Sequence, residues 1–134
     1  MCGLIAAFFA TPLPETALRA ALTHMRARGP DGEGVWQDDG AWLGHRRLAI
    51  LDLDPRAAQP MHSACGRYVI VFNGEIYNFR ALRSELEAAG TLFRTESDTE
   101  VLLELFAHHG EAMLSKLHGM FAFVIWDRHA QRGL

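Results

Sequence analysis

Cys2 stands directly after the initiator Met and before Gly3. Removal of Met1 would leave a thiol and a free α-amine on one residue, a nucleophile beside a base whose unperturbed pKa is about 7.7 to 8.0. That arrangement is an N-terminal nucleophile; the plainer alternative is a small buried side chain, which is how many free cysteines behave. Asn73-Gly74 follows an apolar run and has two readings. One is a type I′ hairpin turn. The other is a strand end that offers an Asn carboxamide and an unobstructed Gly N–H, two neutral donors for the anion of a tetrahedral intermediate. Glu75-Ile76-Tyr77 is short for a returning strand before Asn78, but both readings stand. Arg46 and Arg47 sit in an apolar strand, so alternation sends them to opposite faces. An inward Arg needs an anion, either a protein carboxylate or a substrate carboxylate held by its bidentate fork. Asp98 lies in the first turn of a helix, where an acid either favours the dipole or faces a ligand. His108 and His109 close that helix and read as partners of its dipole, with no metal assigned to them.

The rest of the chain excludes several classes of function. Thirteen Lys and Arg against sixteen Asp and Glu give a formal charge of −3, so no general positive field collects phosphates and nucleic acid is not an expected partner. Cys2 and Cys65 cannot build a disulfide framework, and their surroundings match no zinc spacing, which fits a reducing compartment. No Lys or Arg precedes the apolar residues 4–10, so they read as a buried strand and not as a signal peptide. No run reaches the roughly 20 apolar residues of a membrane span, and the expected location is the cytoplasm. At 134 residues, 49% hydrophobic and 22% charged, the chain suits one domain with a sizeable core.

The elements that must position these residues follow from periodicity and punctuation. Residues 2–10 read as a strand, and residues 16–28 as an amphipathic helix stopped by Gly29-Pro30. Residues 35–36 and 42–50 read as strands joined by the turn Asp38-Asp39-Gly40. Residues 52–66 show no period and form a long loop, a type that is more often functional than idle. Residues 68–72 and 120–126 are continuous apolar runs and read as strands buried on both faces. Between them Asn78 caps a helix through Ala88 that ends at Gly90, and Ser97 with Glu100 makes a capping box for a helix ending at Gly110. Strands buried on both faces require layers, so the economical fold is α+β, two packed sheets with helices outside.

Six motifs occur in an order that matches a known family. They are Met1-Cys2-Gly3, Arg28-Gly29-Pro30-Asp31, His45-Arg46-Arg47-Leu48, Phe72-Asn73-Gly74-Glu75-Ile76-Tyr77-Asn78, Ser97-Asp98-Thr99-Glu100 and Gly119-Met120-Phe121-Ala122-Phe123. Along all 134 residues the sequence resembles class II glutamine amidotransferases, and in particular the N-terminal glutaminase domain of the asparagine synthetase family. Asn-Gly-Glu-Ile-Tyr-Asn is the most specific element. Ala27 and Ala6 depart from the residues common there, His and Gly.

The resemblance implies a four-layer αββα N-terminal-nucleophile hydrolase sandwich of two mainly antiparallel sheets. It makes Cys2 the nucleophile, Asn73 and Gly74 the oxyanion hole, Arg47 the clamp on the glutamine α-carboxylate, and Glu75 with Asp98 the partners of its α-ammonium. L-Glutamine is then the substrate, and the ammonia passes to a synthetase domain that amidates aspartate. The domain itself takes no cofactor; ATP and Mg belong to that synthetase domain, and the full-length protein could be a homodimer. The synthetase's Ser-Gly-Gly-x-Asp-Ser motif does not occur in this sequence, and the chain stops where a strand should pair back onto residues 120–126. Residues 1–134 therefore read as a glutaminase domain incomplete at its C-terminal end. Two other readings stay open: an amidotransferase for another carboxylate, as in antibiotic or surface-polymer modification, and a non-catalytic glutamine sensor.

Overall fold

The computed structural model describes residues 2–50 and 53–134. β1 (Gly3–Phe8), β2 (Gly32–Gln37) and β3 (Ala41–Arg47) form an antiparallel sheet with β3 in the centre. The β2–β3 turn is set by Asp38, whose Oδ1 accepts from the Gly40 and Ala41 N–H groups at 2.9 Å each. β4 (Met61–His62), β5 (Tyr68–Ile76), β6 (Gly119–Asp127) and β7 (Arg132–Gly133) form a second antiparallel sheet in that order. α1 (Glu15–His24) lies on the outer face of the first sheet, with Leu22 buried close to Gly44. α2 (Phe79–Ala88) and α3 (Asp98–His109) cover the outer face of the second.

Side-chain alternation along β5 builds both interiors. Val69 and Val71 join Ala41, Leu43 and Trp126 between the sheets, while Ile70 and Phe72 pack outward on Leu82, Leu86 and the leucines of α3. The result is the expected four-layer αββα arrangement, helix, sheet, sheet, helices. Asp38 also ties the layers together, since its Oδ2 accepts from Trp126 Nε1 at 2.9 Å and Gln131 Nε2 at 3.1 Å.

Several boundaries and caps differ from the sequence reading. β1 starts one residue later and ends two earlier, and α1 stops at His24, after which Arg26 and Arg28 donate to Thr23 and Met25 in successive turns. The hairpin strands are Gly32–Gln37 and Ala41–Arg47. The loop expected over residues 52–66 contains a short turn of helix at Pro55–Ala57 and the strand β4; its first residue lies outside the described residues. Asn78 precedes α2 but does not cap it: its Nδ2 donates to Lys116 O at 2.8 Å and its Oδ1 accepts from His118 N–H at 3.0 Å. Ser97 does cap α3, accepting from Glu100 N–H at 3.3 Å, but the reciprocal half of the box is absent. Glu100 instead turns its carboxylate to the N–H groups of Arg94 and Thr95 and to Thr95 Oγ1. β5 is buried on both faces as expected, whereas the first half of β6 is not: Met120 is 70% exposed. An apolar run requires burial only where another layer reaches it, and none reaches this end of β6 among the described residues.

Candidate active site

At one end the two sheets part around a cavity of about 410 Å³. Cys2, Arg47, Asn73, Gly74, Glu75 and Asp98, the six residues expected from sequence, all line it. They come from the residue before β1, from β3 and β5, and from the start of α3, so only the packed sandwich brings them together.

Cys2 continues β1 by one residue to the rim. Its Sγ lies 3.3 Å from Leu48 N and 3.6 Å from Leu48 O, and its carbonyl accepts from Arg28 Nε at 3.3 Å. Met1 lies outside the described residues. The Arg28-Gly29-Pro30-Asp31 motif braces the strand beside it. A Cβ on Gly29 would come within 2.3 Å of the Arg46 carbonyl carbon, so only glycine permits this approach. Asp31 N–H donates to Arg47 O at 3.0 Å, and its Oδ2 accepts from Ala49 N–H at 2.9 Å.

Arg46 and Arg47 point to opposite faces of β3, as strand alternation requires. Arg46 is buried under α1, where its Nη2 is 2.8 Å from Glu33 Oε2 and its Nε donates to Leu22 O at 3.3 Å. Arg47 faces the cavity and donates through Nη2 to Asp54 O at 3.2 Å.

Asn73-Gly74 forms no turn. β5 runs through it, pairing Asn73 with Ala122 and Gly74 with Phe121. Odd-numbered residues of β5 bond to β6, as Tyr77 N–H to His118 O at 2.7 Å and Arg128 N–H to Arg67 O at 3.1 Å show at its two ends. Even-numbered residues turn their amides to the other edge, where Tyr68 O accepts from Ser63 N–H. The Gly74 N–H therefore points to an edge that β4 does not reach, while the side chains of Asn73 and Glu75 share the inner face with Val69 and Val71. Gly74 has φ +153°, and a Cβ there would sit 2.2 Å from Met120 O. Glycine is required, and it leaves its N–H unobstructed.

Asp98 is 4% exposed, and its Oδ2 accepts from Ile76 N–H at 3.0 Å. Burial pushes its carboxyl above the ordinary range and the negative Glu75 adds to this, against the pull of N–H donors from Ile76 and the helix start. One cation, two acids, two amide donors and a thiol thus surround the cavity, a set complementary to an α-amino acid that carries a side-chain amide. His45 and Gln59 also line it, and no role for either follows from the sequence alone. Burial first, with the charge of Arg47, pushes the His45 imidazole down to about 4 against the bond it makes to Phe72 O. Its Nε2–H donates to that carbonyl, which leaves Nδ1 buried without a partner among the described residues.

The described residues contain no helix long and apolar enough to cross a membrane. A sequence profile of a glutamine amidotransferase domain matches residues 1–134. The chain is 45% identical over 134 residues to asparagine synthetase [glutamine-hydrolyzing] 1 of Bacillus subtilis, covering 96% of this chain and 21% of that protein. It is 45% identical over 103 residues to asparagine synthetase B [glutamine-hydrolyzing] of Escherichia coli, covering 77% and 18%. The chain thus spans about a fifth of the length of these curated relatives. Among solved structures it is similar to the glutamine phosphoribosylpyrophosphate amidotransferase of B. subtilis complexed with ADP and GMP. That match has a TM-score of 0.56 and 32% identity, over 69% of this chain and 22% of the other. The match along its whole length and the agreement in fold establish that the chain belongs to the family of class II glutamine amidotransferase domains.

Proposed function

We propose that this domain hydrolyses L-glutamine to glutamate and ammonia through a thioester on Cys2. The observation that carries the reading is the single cavity shared by Cys2, Arg47, Asn73, Gly74, Glu75 and Asp98. Arg47 holds the α-carboxylate by charge-assisted hydrogen bonds, and Glu75 with Asp98 faces the α-ammonium. The Cys2 thiolate attacks the γ-amide carbon, and the oxyanion that forms is held by Asn73 Nδ2 and Gly74 N–H. With Met1 removed, the Cys2 amine takes the thiol proton and delivers it to the leaving nitrogen, so that ammonia departs and a γ-glutamyl thioester remains. Water then adds to the thioester, releasing glutamate and restoring the thiol. In this reading the ammonia serves amidation of aspartate on a synthetase domain, and ATP and Mg²⁺ act there.

The test is labelling with an electrophilic diazo-ketone analogue of glutamine, followed by peptide and intact mass spectrometry. The expected result is an N-terminal Cys2 that carries one adduct, with the exposed Cys65 unmodified. Labelling of Cys65 alone, or none once Cys2 is N-terminal, would overturn the assignment.

A further inference from the structure

β4 covers the outer edge of β5 only as far as Ile70. Beyond that point side chains take the place of a neighbouring strand. Phe72 N–H donates to Gln59 Oε1 at 2.6 Å, and Phe72 O accepts from His45 Nε2 at 3.1 Å. Further on, Ile76 N–H is taken by Asp98. Between them on that edge stands Gly74, with its N–H toward the cavity.

His45 and Gln59 reach Phe72 from different layers. His45 projects from β3 of the first sheet and is 1% exposed. Gln59 comes from the segment before β4, is 9% exposed, and anchors its other end by donating from Nε2 to Thr99 Oγ1 of α3 at 3.3 Å. Each is buried and neutral, so neither adds a charge that would compete with substrate for Arg47 or the acids.

We propose that His45 and Gln59 are positioning residues which grip both backbone groups of Phe72 and so fix the Gly74 N–H and the Asn73 carboxamide on the oxyanion. The inference rests on the glutaminase reading for its kinetic consequence, though its structural half stands independently. The physical need is specific. An oxyanion donor works only within about 2.7 to 3.1 Å of where the anion forms. A strand edge whose polar groups are left to water has no fixed position at that scale.

The experiment compares the protein with its His45→Phe and Gln59→Leu variants, which keep bulk and remove the bond, and with His45→Gln, which keeps an N–H donor. Glutamine hydrolysis is expected to lose about tenfold or more in kcat in the first two, with KM within about twofold. Alkylation of Cys2 by iodoacetamide, a displacement that forms no oxyanion, is expected to keep its rate, and His45→Gln to recover most of kcat. The Gly74 amide resonance is expected to shift in both disruptive variants. Unchanged kcat together with an unmoved Gly74 resonance would overturn the proposal, as would parallel loss of hydrolysis, alkylation and thermal stability. If the unaltered protein hydrolyses no glutamine, the functional reading fails, and the Gly74 resonance alone decides: moved it supports the positioning role, unmoved it overturns it.

Discussion

Within β3, Arg46 pairs with Glu33 beneath α1 while the next residue, Arg47, reaches the cavity. Their substitution by Ala should therefore fail in different ways. Arg47→Ala would leave a substrate carboxylate unpaired in a partly dry site, a loss of about 2 to 5 kcal/mol, or more than about thirtyfold in kcat/KM. Arg46→Ala leaves the cavity intact but removes a buried cation's bonds to Glu33 and to the Leu22 carbonyl, so Tm should fall while kcat/KM of the folded protein stays within about threefold. Steady-state kinetics and a thermal melt on the two variants check this, and equal kinetic losses would mean that the assigned faces are wrong. The opposite facing of these arginines was legible in sequence because strand alternation is a local rule. Gln59 and His45 were not. Their roles depend on where β5 runs out of neighbour, a fact set by packing between segments far apart in the chain.

At the scale of elements, signals confined to one segment were read well and those that need a distant partner less so. The stops of α2 and α3 follow from Gly90 and Gly110, both at positive φ. Asn73-Gly74 looked equally like a turn because its strand character comes from pairing with Ala122 and Phe121, which no local propensity encodes. The β6–β7 corner has an electrostatic lock. Asp127 Oδ1 accepts from Arg67 Nε at 2.9 Å and from the His129 and Ala130 N–H groups at 2.9 and 3.0 Å. The bonds from Arg67 first, and those N–H donors, hold its carboxyl down at about 2 against the effect of burial. A carboxyl depressed on folding stabilises the fold above its unfolded pKa of about 3.9, and that contribution is lost as pH falls toward the folded value. Asp127→Asn should therefore lower Tm by roughly 2 to 5 °C at pH 7. The gap should close as pH drops from about 4 to about 2. Thermal melts across that range check it, and a gap independent of pH would assign the lock to packing instead of charge.

Across the whole molecule, β6 is where an open strand edge and exposed apolar side chains coincide among the described residues. Its even-numbered residues bond to β5. The odd-numbered ones turn outward, where Ile125 and Leu134 exchange N–H to O bonds at 2.9 Å and β7 pairs only at Trp126 and Asp127. Gly119, Phe121 and Phe123 face the same way, and among the described residues no strand lies on that stretch. The exposed side chains there are apolar too, Met120 at 70% and Phe121 at 37%. An open, apolar strand edge is a template for pairing with another chain. Residues 1–134 expressed alone should therefore self-associate with rising concentration and hydrolyse glutamine weakly, because Phe121 and Ala122 also line the cavity. A chain extended after Leu134 by an added strand designed to prolong β7 along β6 should elute as a smaller, uniform species with higher specific activity. Size-exclusion chromatography with light scattering on both chains decides the matter. A uniform short chain with the same glutaminase activity as the longer one would show that this edge needs no partner strand.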